Sequence, residues 1–123
     1  MIKNMTPHPI NIYSISDTTY DIANRKYFLN EGATPIAVIP ASGALLNAKS
    51  VQIDKAPIDG IPVKEVKWEV DNFTTEPGIY YIVSNLYKSA YNGHNKEQLL
   101  TIGDPVYINK DNPRPVGCLF LAQ

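Results

Sequence analysis

Ten prolines, spread from Pro7 to Pro115, combine with recurring Gly, Asn and Asp to cut this chain into short apolar segments. Proline removes a backbone donor and clashes with the preceding helical turn, so this punctuation argues against long helices and suits strands joined by turns. The clearest strand is Val66, Trp68 and Val70 alternating with Lys67 and Glu69. Period-two alternation sends apolar side chains to one face and charges to the other, which predicts a half-buried strand.

Ile10 and Ile12 around Asn11, Ala37 to Ile39, and Val51 and Ile53 around Gln52 read the same way. The run Ile79 to Val83 has no polar group except tyrosine hydroxyls and predicts a central strand buried on both faces. Val106 to Ile108 and Val116 to Leu121 predict two arms of a hairpin around Lys110-Asp111-Asn112-Pro113. Asn85 to Tyr91 lacks Gly and Pro and pairs Leu86 with Ala90 and Tyr87 with Tyr91 at helical spacing, which predicts a short helix. Thr18 to Leu29 is an insertion of ambiguous pattern, with a helical decoration as one reading. Some seven strands in one domain, residues 1–123, point to a sandwich or a partly closed barrel.

At 123 residues and 44% hydrophobic content the chain has enough material to bury roughly two-thirds of its unfolded surface without covalent staples. The net charge of -1 supplies no positive field for a long nucleic acid, so any nucleotide partner must be small. Cys118 is the only cysteine, which excludes an internal disulfide and a multi-cysteine zinc site and favours a reducing cytosol. The polar, proline-interrupted start from Met1 to Pro9 predicts no signal peptide, and no apolar run reaches membrane-spanning length.

Catalysis needs a nucleophile, base or metal held by partners, and the inventory is thin. The two histidines, His8 and His94, are far apart, and the local patterns of zinc hydrolases, phosphate-binding loops, dinucleotide folds and nucleophile elbows are absent from the sequence. Cys118, between Gly117 and Leu119 in an apolar segment, reads as a small buried residue before it reads as a nucleophile. His8 sits between Pro7 and Pro9, where it either stiffens the approach to the first strand or touches a ligand. No metal or cofactor is expected.

Beyond the buried strand the chain turns polar and tyrosine-rich: Ser84, Asn85, Tyr87, Tyr91, Asn92, His94, Asn95 and Lys96. Hydroxyls and amides can read base and ribose edges, rings can stack on a base, and Lys96 can meet a phosphate. The same composition also suits a solvated helix and loop. Arg25 and Arg114, the only arginines, suit a phosphate or a carboxylate equally.

Four motifs carry a resemblance. Asn4-Met5-Thr6-Pro7-His8-Pro9-Ile10, Pro40-Ala41-Ser42-Gly43, Ile79-Tyr80-Tyr81-Ile82-Val83-Ser84 and Pro115-Val116-Gly117-Cys118 stand in the order found in a family of small phage proteins. In these motifs the chain resembles the first-described Thoeris anti-defence proteins, and the match spans nearly the whole length. The resemblance implies a decorated immunoglobulin-like β-sandwich with one or two short helices, forming a homodimer and, in some members, a hexamer. It implies sequestration, without cleavage, of cyclic ADP-ribose isomers such as glycocyclic ADP-ribose made by TIR enzymes, in the cytoplasm of the infected bacterial host. Some relatives also hold cyclic oligonucleotides at a separate site, for which Arg25, Ser89 and Ala90 are the candidates here.

On that reading the ligand stacks near Tyr87 or Tyr91, Asn92 and its neighbours read its polar edges, and Lys96 and Arg114 hold phosphates. The family places arginines after the Ile-Val-Ser segment and before the last hairpin turn, where this chain offers Asn95, Lys96, Asn109 and Lys110. Lysine brings a point charge without the bidentate fork of arginine. The alternatives are a structural or assembly protein of a phage particle and, with the thinnest support, an enzyme that degrades the signal.

Overall fold

A computed structural model describes residues 1–71 and 73–123. The fold is mainly β, a nearly closed barrel-like sandwich, as the segment pattern predicts. Its strand path runs β1 (Ile2–Asn4), β8 (Tyr80–Ile82), β9 (Leu99–Tyr107), β10 (Gly117–Ala122), β2 (Ile10–Ile12) and β5 (Ala37–Ile39). An isolated bridge from Asn4 to Ala41 then returns the path to β1, helped by the Ser42 amide donating to the Asn4 carbonyl at 2.9 Å.

Asn4 is the stitch at that closure. Its buried side-chain amide donates to the carbonyls of His8, at 2.8 Å, and Ile39, at 3.3 Å. Its oxygen accepts from the Thr6 amide and hydroxyl at 3.0 and 2.6 Å, so all four bonding positions are filled. This gives the Asn-Met-Thr-Pro-His-Pro motif a structural reason: Thr6 and the His8 carbonyl serve Asn4, and the prolines fix the backbone between them.

β8 is central, as its apolar run predicts, pairing β1 on one edge and β9 on the other in parallel, and Tyr81, Ile82 and Val83 are all buried. β9 and β10 form the expected antiparallel hairpin, with Val106 opposite Gly117, although β9 begins earlier than the sequence signal at Leu99. A Cβ at Gly117 would press on the Asn11 carbonyl and the Tyr13 ring, so only glycine lets β2 lie against β10 here.

The Thr18–Leu29 insertion is a hairpin, not a helix. β3 (Thr18–Asp21) pairs antiparallel with β4 (Lys26–Leu29), and β4 joins β9 at Val106 and Tyr107. The turn explains it: the Asn24 backbone and side chain donate to the Asp21 carboxylate, and Arg25 adopts a left-handed φ of 53°, which ends any helical run.

β6 (Ala48–Ile58) and β7 (Ile61–Val70) form a separate two-stranded arm. Its tip is Asp59-Gly60 with φ of 51° and 75°, the positive pair that a tight hairpin turn requires. The strand predicted from Val66, Trp68 and Val70 is present, but only Val70 is half-buried: Val66 and Trp68 are 53% and 44% exposed. Alternation created an apolar face, and the barrel covers only its base.

That base joins the core. Met5, Tyr81, Val83, Tyr87, Tyr91 and Leu99 form one buried cluster, with Ala48 and Val70 of the arm and Phe73 packed against it. Phe73 meets Tyr81 edge-on at 4.7 Å between ring centres. Tyrosine suits the cluster because each ring is apolar while its hydroxyl reaches loop backbone.

Candidate functional site

The expected helix α1 (Asn85–Ala90) starts where β8 ends. Ser84 caps it, its hydroxyl oxygen accepting from the Tyr87 amide at 3.1 Å, which leaves the Ser84 hydroxyl hydrogen free to donate outward. At only six residues, α1 places different clefts beside its two ends.

The cleft at its start, about 360 Å³, lies where β8 stops and β9 continues. Ile10 and Ile102, both half-buried, contribute apolar surface. Thr6, His8 and Pro9 of the first motif form one wall, Ser84 and Asn85 a second, and Pro115 and Val116 a third. Three segments distant in sequence therefore meet at one mostly apolar cavity with a few polar groups, the usual composition of a small-molecule site. No carboxylate lines it among the described residues, and Arg114 immediately precedes Pro115 in the chain. The His8 and Asn85 side chains are exposed at this cleft.

The cleft at the other end of α1, about 560 Å³, lies against the base of the arm. Trp68, Phe73 and Tyr91 give it aromatic surface, and Ala90 and Asn92 border it, but Glu69 and Asp71 line it too. Two carboxylates repel a phosphate, so the larger cavity is the poorer nucleotide site.

The predicted ligand residues do not form one constellation. Tyr87 is fully buried and its hydroxyl donates to the Asp71 carbonyl at 3.1 Å, which corrects the expectation that it stacks on a ligand. Burial, then the nearby Tyr91 and Asp71, push its phenol above the ordinary value of 10.0. Tyr91 is buried against Tyr87, with ring centres 6.1 Å apart, and donates to the His94 carbonyl at 2.8 Å, so its faces are not a free stacking platform either. Asn95 holds a left-handed φ of 59° ahead of a short 3-10 turn, Lys96–Gln98, and is a backbone residue first. Asn92, His94, Asn95 and Lys96 are all exposed.

Asn109 builds the last turn, its side-chain oxygen accepting from the Asp111 and Asn112 amides at 3.0 Å each. The Asn24 hydrogen bonds hold the Asp21 carboxyl below the ordinary range, with a smaller contribution from the charge of Lys110. The loop of Asn92 to Lys96 precedes β9 and the loop of Asn109 to Arg114 follows it, and nine extended residues separate such loops by about 26 Å. One small ligand on one chain cannot touch both. Arg25 precedes β4, whose Tyr27 pairs with Val106 toward the far end of β9, while Ser89 and Ala90 lie on α1, whose Tyr87 packs with Leu99 at the start of β9. Of the predicted set, Ser84 lines the motif cleft, and Arg114 stands next in the chain to its Pro115.

Of the cleft residues, pattern reading gives His8 a ligand contact as one of two alternatives, places Asn85 in the polar stretch and gives Thr6 no ligand role. The signal was present in the first motif meeting the Ile-Val-Ser motif, yet only the barrel closure brings them together. Cys118 is fully buried, as its setting predicts, and burial raises its thiol above the ordinary value of 9.0. Among the described residues no helix is long and apolar enough to cross a membrane, and no three His, Cys, Asp or Glu side chains gather as a metal site. Comparison with protein-family models, with curated proteins and with solved structures returns no match to this chain.

Proposed function

We propose that this chain is a phage anti-defence sponge that sequesters, without cleaving, a small cyclic nucleotide of the cyclic ADP-ribose class made by TIR enzymes in the infected host. The supporting observation is that three of the motifs carrying the family resemblance, around His8, Ser84 and Val116, wall a single cleft of about 360 Å³ free of carboxylates among the described residues. In the proposal the base packs on the apolar surface, Ser84 and Asn85 donate to its polar edges, and His8 and Arg114 face the phosphates.

Capture without turnover is supported by how the hydroxyls near His8 are used. The Thr6 hydroxyl donates to the Asn4 side chain at 2.6 Å, and the Ser84 oxygen is occupied by the cap of α1. Neither is bonded to a general base. The test is incubation with the products of an activated TIR enzyme, heat denaturation of the protein, and analysis of what is released. An intact cyclic nucleotide supports the proposal, a cleaved product points to an enzyme, and undiminished signal in the incubation defeats it. A role as an assembly protein of a phage particle is the second reading, favoured by the exposed arm.

A further inference from the structure

Asn92-Gly93 lies in the polar loop between α1 and β9, away from the motif cleft, and is the only asparagine followed by glycine in the chain. That dipeptide has a chemistry of its own. A backbone nitrogen can attack the side-chain carbonyl of the asparagine before it and close a five-membered ring. A side chain on the attacking residue obstructs the approach, whereas glycine has none and lets the backbone reach the geometry.

The structure separates Asn92 from the other asparagines. Asn4 is buried with its bonding positions filled, Asn24 donates to Asp21, Asn30 accepts from Thr19, and Asn109 is held by its own turn. Asn85 is held in α1, and Asn112 precedes Pro113, which has no amide hydrogen. Asn92 is exposed and outside helix and strand, and neither its side chain nor the Gly93 amide is hydrogen-bonded among the described residues. Asp59-Gly60 is the comparable acidic pair, but it is fixed in the positive-φ turn of the arm, and an ionised carboxylate resists the attack at neutral pH.

We propose that Asn92 is a self-modifying site, converted to aspartate and isoaspartate by attack of the Gly93 nitrogen. The Gly93 nitrogen bonds to Cγ of Asn92 and gives up its proton, and the side-chain nitrogen leaves with that proton as ammonia. Water from solvent then adds to one of the two ring carbonyls and breaks its bond to nitrogen. Opening at Cγ restores the ordinary backbone with an aspartate side chain. Opening at the backbone carbonyl routes the chain through Cβ and Cγ, one atom longer. Both products set a third carboxylate beside Glu69 and Asp71 at the cleft of about 560 Å³ that Asn92 and Gly93 border, where like charges repel. The isoaspartyl product also lengthens the backbone inside a turn that Tyr91 spans, its hydroxyl donating to the His94 carbonyl at 2.8 Å. Gly93 packs so closely on that ring that an added Cβ would press on it, so the longer backbone loosens a core tyrosine.

The test uses the full chain without nucleotide, so its outcome is separate from that of ligand capture. The folded protein is held for days at mildly alkaline pH, which favours the attacking nitrogen, and the tryptic peptide from Ser89 to Lys96 is analysed by tandem mass spectrometry. Fresh protein digested in parallel sets the baseline. Exchange of NH2 for OH at Asn92 is expected, in two chromatographically distinct products, with a new band one charge more acidic on isoelectric focusing. Asn92→Gln is expected to lose the conversion, because its ring would need six members, and to keep the melting temperature. The isoaspartyl fraction is expected to melt a few degrees below fresh protein. Asn92→Asp carries the charge on an ordinary backbone, so its drop is expected to be smaller and to recover in salt. An Asn92 that stays intact overturns the proposal, as does conversion at Asn95 in its place or conversion that persists in Asn92→Gln. An isoaspartyl fraction that melts like fresh protein overturns the effect assigned to Tyr91.

Discussion

The Asn4 side-chain amide donates to the carbonyl of Ile39 at 3.3 Å, and through that bond the strand that opens the chain meets the strand at the far end of the sheet path. Asn4→Ala would leave the Ile39 and His8 carbonyls without their side-chain donor and Thr6 without its acceptor. The expected loss is about 2–4 kcal/mol in chemical denaturation, more than Thr6→Val, which removes one hydroxyl and should cost about 1 kcal/mol.

Tyr87 ties α1 to the base of the arm through the Asp71 carbonyl. Tyr87→Phe keeps the ring and removes the bond, so a modest loss of about 1 kcal/mol is expected, together with faster amide exchange in β7 near Val70. Tyr87→Ala also empties a core position and should cost about 3–5 kcal/mol. Ligand capture by the Phe variant is expected to equal that of wild type, because the ring does not face either cleft as a platform.

Alkaline pH should weaken the fold through two buried groups. Burial raises both the Cys118 thiol above 9.0 and the Tyr87 phenol above 10.0, so the folded state holds these protons more tightly than the unfolded chain. Their contribution is complete below those ordinary values and is lost as pH climbs past them. Denaturation midpoints measured from pH 8 upward should therefore fall beyond about pH 9, and Cys118→Ala should flatten the first part of the decline. In the native state at neutral pH, Cys118 should resist a thiol reagent until the protein unfolds.

Gly117→Ala tests the close approach of β2 and β10. The added methyl would press on a backbone carbonyl, Asn11, which cannot swing aside as a side chain can. A loss of about 1–3 kcal/mol is expected. Gly103→Ala is the control: its methyl would meet the ring of Phe120, a side chain 48% exposed and able to move, so it should cost less.

The parts of this fold readable in the sequence are those whose signal is local. β8 shows as a continuous apolar run, α1 as a stretch without breakers at helical spacing, and the β9–β10 hairpin as a turn between two apolar segments. The Asp59-Gly60 turn was equally local and marks the tip of the arm. Trp68 shows the limit: alternation reveals a face, but what covers that face depends on distant chain. Thr18 to Leu29 went the other way because the bonds between Asn24 and Asp21 make a turn inside a segment without Gly or Pro. Among site residues, Tyr87 and Tyr91 looked available because a hydroxyl reads as polar, whereas their rings fill the core. Asn109 looked like a ligand contact and is spent on its own turn.

The most direct measurement is capture of a TIR-derived cyclic nucleotide by wild type, His8→Ala and Asn85→Ala, with melting temperature followed in parallel. These two side chains stand at the motif cleft and are exposed, so neither variant should shift the melting temperature appreciably. Wild type should release the intact nucleotide after denaturation, and each variant should capture it at least about tenfold less tightly. Capture by both variants equal to wild type would contradict a ligand in this cleft, and its absence in all three would contradict the sponge itself.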